Sequence, residues 1–204
     1  MNAIVFDLEV RQGPEELPRG WDDKADMGVS CAGLYDLQSR RFRFFWGGDP
    51  EDMLELGGRI DRADYVVGFN HIGFDYAVLR GAGVAIAHRP AREVDLLTLT
   101  WDAIDRHGAG LTKRGNSLDS LCQANGLPGK SGAGAQAPSL WREGRLGRLF
   151  TYQRDDVDLT FRLLCRVARA GEITLACGAS IPFALPEPFG SAIRAYLQPA
   201  RVSA

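Results

Sequence analysis

"IVFDLEV", residues 4–10, places two carboxylates two positions apart inside an otherwise apolar run. Read as an extended strand, its period of two sends Ile4, Phe6, Leu8 and Val10 to one face and Val5, Asp7 and Glu9 to the other. Both acids then point the same way. Partly desolvated and side by side, they repel and raise each other's pKa unless a cation lies between them. Two readings stay open on these seven residues alone: a half-exposed strand with its polar face in water, or a metal site.

The bulk composition narrows the setting. With 204 residues, 45% hydrophobic and 25% charged, the chain can bury one sizeable core, and one domain spanning residues 1–204 is the expectation. Cys31, Cys122, Cys165 and Cys177 are scattered without a CxxC pair, and the chain enters strand-like sequence without a signal-peptide pattern, which predicts a reduced, cytoplasmic protein. No apolar run approaches the roughly 20 residues of a membrane span. His71, His88 and His107 lack zinc-ligand spacing. A formal charge of -2 argues against coating nucleic acid by bulk electrostatics, so any polyanion has to be held locally.

Outward from the first strand, "RQGPEELPRGWDDKAD" reads as a loop, and "MGVSCAGLYDL" and "RRFRFFWGG" as a hairpin. "DPEDMLELGGRI" predicts a helix, and "ADYVVGFN" a short strand ending at Asn70 with that residue as a helix cap. "FDYAVLRGAG" reads as a helix stopped by glycine, "EVDLLTLTWDAIDR" as a strand running into a helix, and "SLDSLCQANG" as a short capped helix. Residues 145–169 are the longest helical stretch. Three strands, then alternating helix and strand, then helices, predict an α/β layer with a mixed sheet. The glycine-rich "GLPGKSGAGAQAP" reads as a mobile loop; its "GKS" is no P-loop, because the first glycine of that pattern would fall at Ala124 and a helix precedes it where a strand is required. Lys130, inside this loop, reads first as a solvated lysine and second as a phosphate contact.

Two further acids stand out. In "VVGFNHIGFDYAVLR", residues 66–80, Asp75 lies early in a helix, where the dipole alone would favour it. In "YQRDDVDLTFRLL", residues 152–164, Tyr152, Asp156, Leu159 and Leu163 share a helical face, while Arg154, Asp158 and Arg162 form a solvated charge ladder. Asp156 is therefore the acid on the apolar side, one turn after a phenol; Asp155 has the poorer face.

"FDLE", then "GFN" followed after three residues by "FD", then Tyr-x-x-x-Asp in a late helix, resemble in that order the three motifs of the DEDDy 3′-5′ exonucleases, which have a ribonuclease H-like fold. The resemblance is closest to the bacterial ribonuclease H-like proteins related to the exonuclease domain of family B DNA polymerases. "GWDDKADMGVS", "SLDSL" and "LWREGRLGRLFTYQRDDVDLT" also look like that group. It covers roughly residues 3–170 and leaves 171–204, with a strand at "EITLA", as an extension of its own.

The resemblance implies an α/β, ribonuclease H-like mixed sheet flanked by helices. It implies that Asp7, Glu9, Asp75 and Asp156 bind two divalent cations, Mg²⁺ or Mn²⁺, that Tyr152 orients the attacking water, and that Asn70 lies near the substrate backbone. The activity implied is hydrolysis at the 3′ end of single-stranded or frayed nucleic acid, DNA before RNA, with a polymerase or helicase as the kind of partner served. Arg142, Arg145 and Arg148 recur every three residues and read either as a phosphate grip or as a solvated face. In "RRFRFFWGG" the mixture of arginines and aromatics suits stacking on bases, but in a hairpin it reads first as core. Two rivals remain: a binding module of the same fold with little catalysis, and a metal-dependent phosphodiesterase of small nucleotides.

Overall fold

The computed structural model describes residues 1–130 and 136–198. At its centre is a five-stranded sheet: β1 (Ala3–Val10), β2 (Val29–Asp36), β3 (Arg41–Trp46), β4 (Tyr65–Gly68) and β5 (Glu93–Asp95), in the order β3-β2-β1-β4-β5. β1, β2 and β3 pair antiparallel; β4 and β5 join parallel to β1. The mixed α/β layer expected from the element order is present, and it is consistent with a ribonuclease H-like fold.

Period-two alternation in β1 divides the core. Ile4, Phe6 and Leu8 pack with Met53, Leu56 and Ile60 of α1 (Pro50–Arg62) and with Tyr76, Val78 and Leu79 of α2 (Asp75–Gly81). Val5 faces the other way, into a cluster built on α3 (Leu96–His107), α4 (Leu118–Ala124) and the long α6 (Leu146–Ala170). Asp49 caps α1 by accepting the Glu51 N–H, and Ser117 caps α4 by accepting that of Ser120. Among the described residues no helix is long and apolar enough to cross a membrane. The segment after α6 is integrated with that second face. β6 (Glu172–Thr174) and β7 (Ser180–Pro182) form a small ribbon, and α7 (Phe189–Tyr196) inserts Phe189 and Ile193 into the same core.

Several local expectations change. β4 stops at Gly68, and Asn70 is not a cap: it stands in a turn at φ +65, and Phe74 precedes α2. The region expected as a loop after β1 holds two 3₁₀ turns, Pro14–Glu16 and Gly20–Asp26. The glycine-rich stretch is anchored at its start, where Leu127 N–H bonds the Cys122 carbonyl at 2.9 Å and Lys130 N–H bonds Asp119 at 2.7 Å. It ends inside α5 (Ala137–Arg142); residues 131–135 lie outside those described. The hairpin aromatics are core, as Phe45 is fully buried and Phe44 packs on Phe150.

The Gly20–Asp26 turn rests on α2 through Gly81, where a Cβ would come within 1.7 Å of the Ala25 carbonyl oxygen. Backbone cannot yield as a flexible side chain does. Gly81→Ala should therefore destabilise the protein by about 1–3 kcal/mol, seen as a lower denaturant midpoint at unchanged slope.

Candidate active site

Asp7 and Glu9 leave β1 on the α6 side, because the alternation that buries Phe6 and Leu8 leaves them no other direction. Opposite Asp7 in the ladder stands Gly33, and opposite Glu9 stands Cys31. A Cβ at Gly33 would fall 2.7 Å from Phe42 Cζ and crowd Gln153, at 3.1 Å from Cγ and 3.2 Å from Nε2. The glycine thus lets the buried Gln153 of α6 reach across. Its Nε2 donates to the Asp7 carbonyl at 2.7 Å and to Asp7 Oδ2 at 3.1 Å, fixing helix to strand at the acid itself.

From α6 come Tyr152 and Asp156, both buried and one turn apart. Asp7, Glu9 and Asp156 each offer an oxygen within 4.8 Å of the others. Asp156 Oδ2 accepts the Lys130 ammonium at 2.5 Å, whereas its Oδ1 is buried with no hydrogen-bond partner among the described residues. Lys130 Nζ also lies 3.4 Å from the Tyr152 hydroxyl and 5.5 Å from the ring centre. The expectation of a solvated loop lysine fails here. The bond from Asp119 to the Lys130 backbone sets the residue against α4, and the side chain then has the acids within reach.

Asp75 and Asn70 line the same cavity, of about 460 Å³, with Asp7, Glu9, Lys130 and Asp156. Asp75 Oδ1 accepts the Leu8 N–H at 3.0 Å, which ties α2 to the acid strand, and Asp75 stands outside the group of three close carboxylates. Asn70 is set by Asp95, a residue the sequence reading gave no role. Asp95 Oδ1 accepts the N–H of Asn70 at 2.9 Å and of Leu97 at 3.0 Å, and Oδ2 that of Ile72 at 3.1 Å. Beneath this turn His71 bonds Glu93 at 3.0 Å, and Tyr76 bonds the same carboxylate at 2.7 Å. The position of Asp95 at a strand-to-helix junction was the usable signal, since it is where a capping aspartate belongs.

The structure does not bring Arg142 and Arg145 to this cavity. Arg142 ends α5 and pairs with Glu16; Arg145 pairs with Glu143 at 2.8 Å. Gly144, at φ +64, breaks the chain between α5 and α6, so the three arginines do not form one helical face. Gln153 was missed because the buried stripe of α6 is wider than the one read from Tyr152, Asp156, Leu159 and Leu163; it also takes in Gln153, Val157 and Thr160.

Burial, then the neighbouring Asp156, pushes the Asp7 carboxyl up to about 7, against the pull of Lys130 and Gln153. Burial and the charges of Asp7 and Asp156 raise Glu9 well above its ordinary value, and burial and Asp7 do the same to Asp75. Burial raises Asp156 too, opposed by Lys130 and Tyr152. Lys130 itself, which burial would lower, is held raised by Asp156 and Asp7. One ammonium does not balance this cluster. The donors fit a hard divalent cation: all are carboxylate oxygens, one is buried and unpartnered, and no His or Cys is among them.

Residues 91–176 match the model of a family described as a predicted 3′-5′ exonuclease related to the exonuclease domain of PolB. The resemblance read in the sequence stands over that stretch, which is less than half of the 204 residues. It contains β5, Lys130, Tyr152 and Asp156; β1 and α2, which carry Asp7, Glu9 and Asp75, precede it. No curated protein matches the chain.

The raised Asp7 carboxyl has a measurable sign. Because its pKa goes from 3.8 to about 7 on folding, the folded state holds the proton more tightly and stability falls as pH rises between those values. In EDTA, the stability gap between Asp7→Asn and the wild type should move in the variant's favour from about pH 4 to about pH 7 and then level. Denaturant melts across that range test it; a gap independent of pH contradicts the assignment.

Proposed function

We propose that this chain is a divalent-metal-dependent 3′-5′ exonuclease of the tyrosine subclass, acting on single-stranded or frayed 3′ ends. The observation that carries the reading is the meeting of Asp7 and Glu9 from β1 with Asp156 from α6, their oxygens within 4.8 Å of one another, in a chain matched to an exonuclease family. The relation to a polymerase exonuclease domain speaks for DNA before RNA.

In this reading Asp7, Glu9 and Asp156 hold Mg²⁺ or Mn²⁺, with Asp75 completing the set for a pair of ions. Such ions supply Lewis acidity at the phosphate and a template for in-line displacement. Tyr152 directs its hydroxyl toward the attacking water. Lys130, beside Asp156, offsets charge that grows on the phosphate oxygens. Asn70, held by Asp95 at the rim, contacts the strand backbone. Water adds to the terminal phosphorus, the bond to the 3′ oxygen breaks, and a nucleotide is released.

Asp156→Ala should abolish Mn²⁺-dependent shortening of a 5′-labelled single strand while leaving the protein folded. Tyr152→Phe should lower kcat by about 100- to 1,000-fold, with oligonucleotide and Mn²⁺ affinities nearly unchanged. Product ladders on single-stranded DNA, duplex DNA and RNA report polarity and polymer. Binding without shortening would instead favour the non-catalytic module, and cleavage of a model phosphodiester alone the small-nucleotide enzyme.

A further inference from the structure

We propose that Trp21, on the Gly20–Asp26 turn, is the stacking platform for the base of the terminal nucleotide; this rests on the exonuclease reading. Trp21 is 63% exposed, unusual for so large an apolar side chain. It lines the same cavity as Asp7, Glu9, Asp75 and Asp156, which Phe69 and Phe74 also line. Its ring centre lies 6.0 Å from that of Phe74 at 67°, so the two rings meet edge to face and most of the indole remains uncovered.

The platform is held rigidly. Asp23 accepts the Arg19 N–H at 2.8 Å and its Nε at 2.7 Å, closing the turn. Gly81 lets the turn lie directly on α2, whose first residue is Asp75. Trp21 and one acid of the site therefore share a support.

Charge decides what Trp21 can receive. Asp22, Asp23 and Asp26 flank it and Glu15 lines the cavity beside it, against Lys24 and an Arg19 already paired with Asp23. A phosphate is unwelcome on that side, whereas an uncharged aromatic base is not. Among the described residues Lys130 is the only cationic side chain lining the cavity, and it is engaged by Asp156. Arg142 and Arg145 are paired elsewhere. The grip on a 3′ end therefore comes from the base rather than from a track of phosphates. Stacking uses the π-face that every base has, so the platform accepts any base.

The test uses the full chain and two 5′-labelled single strands, one with an ordinary 3′-terminal nucleotide and one whose terminal nucleotide is abasic. Anisotropy at low ionic strength with Ca²⁺ in place of Mn²⁺ reads affinity, with a gel showing the strand intact over the measurement. Trp21→Ala should weaken binding of the ordinary strand by about 5- to 150-fold, with Trp21→Phe in between, while wild type and both variants bind the abasic strand alike. With Mn²⁺ the loss on the ordinary strand should appear in KM rather than kcat. Equal losses on both strands, or none on either, would overturn the proposal. Base-dependent binding that follows Trp21, in a protein that shortens no strand, would keep the platform and remove the exonuclease reading instead.

Discussion

Asp7, Glu9 and Asp156 crowd three like-charged groups into a space where water screens them poorly, and the surrounding structure answers that repulsion. Lys130 supplies one positive charge at 2.5 Å from Asp156. Gln153 donates to Asp7, and the Leu8 N–H donates to Asp75. These contacts lower the cost without cancelling it, since Asp7, Glu9, Asp75 and Asp156 all remain above their ordinary pKa values. A fold that retains such a cluster gives up stability, and under the proposed function a bound cation would offset that cost.

The same constraint explains why the supports are made of hydrogen bonds rather than apolar contact alone. Apolar packing sets the spacing between α6 and the sheet, but it does not fix rotation about a side-chain bond. The Gln153 bridge across Gly33 does so for Asp7, and the Asp95 carboxylate does so for the turn carrying Asn70. Both supports are buried and both link segments far apart in sequence, Gln153 and Asp7 being 146 positions apart. Loss of Gln153 would free Asp7, and loss of Asp95 the turn that carries Asn70, without removing an acid of the cluster.

What was legible in the sequence was periodic. Alternation in residues 4–10 placed Asp7 and Glu9 on one face, and helical spacing in 152–164 placed Tyr152 with Asp156, because burial acts on every residue of a regular element. What was not legible depended on single long-range bonds. Lys130 reads as a solvated loop residue until Asp119, eleven positions earlier, accepts its N–H. Asn70 reads as a strand end until Asp95, 25 positions later, draws its N–H and that of Ile72 into a turn. The single helical face expected for Arg142, Arg145 and Arg148 is absent for a local reason: Gly144 lies between Arg142 and Arg145, and its positive φ ends one helix before the next begins, leaving Arg142 and Arg145 on the solvated surface.

A cavity of this sign sets the order in which ligands can enter. A phosphodiester approaching Asp7, Glu9 and Asp156 meets like charge, and Lys130 is already shared with Asp156. Under the proposed reading a cation held by these carboxylates would remove that repulsion. Cation and phosphate would then favour each other, and by linkage the two affinities would rise by the same factor. The base contact at Trp21 stands apart from this coupling, because stacking involves no net charge. Under that reading the work of the site would divide between a rim that takes the base and a floor that takes the phosphate with its cation.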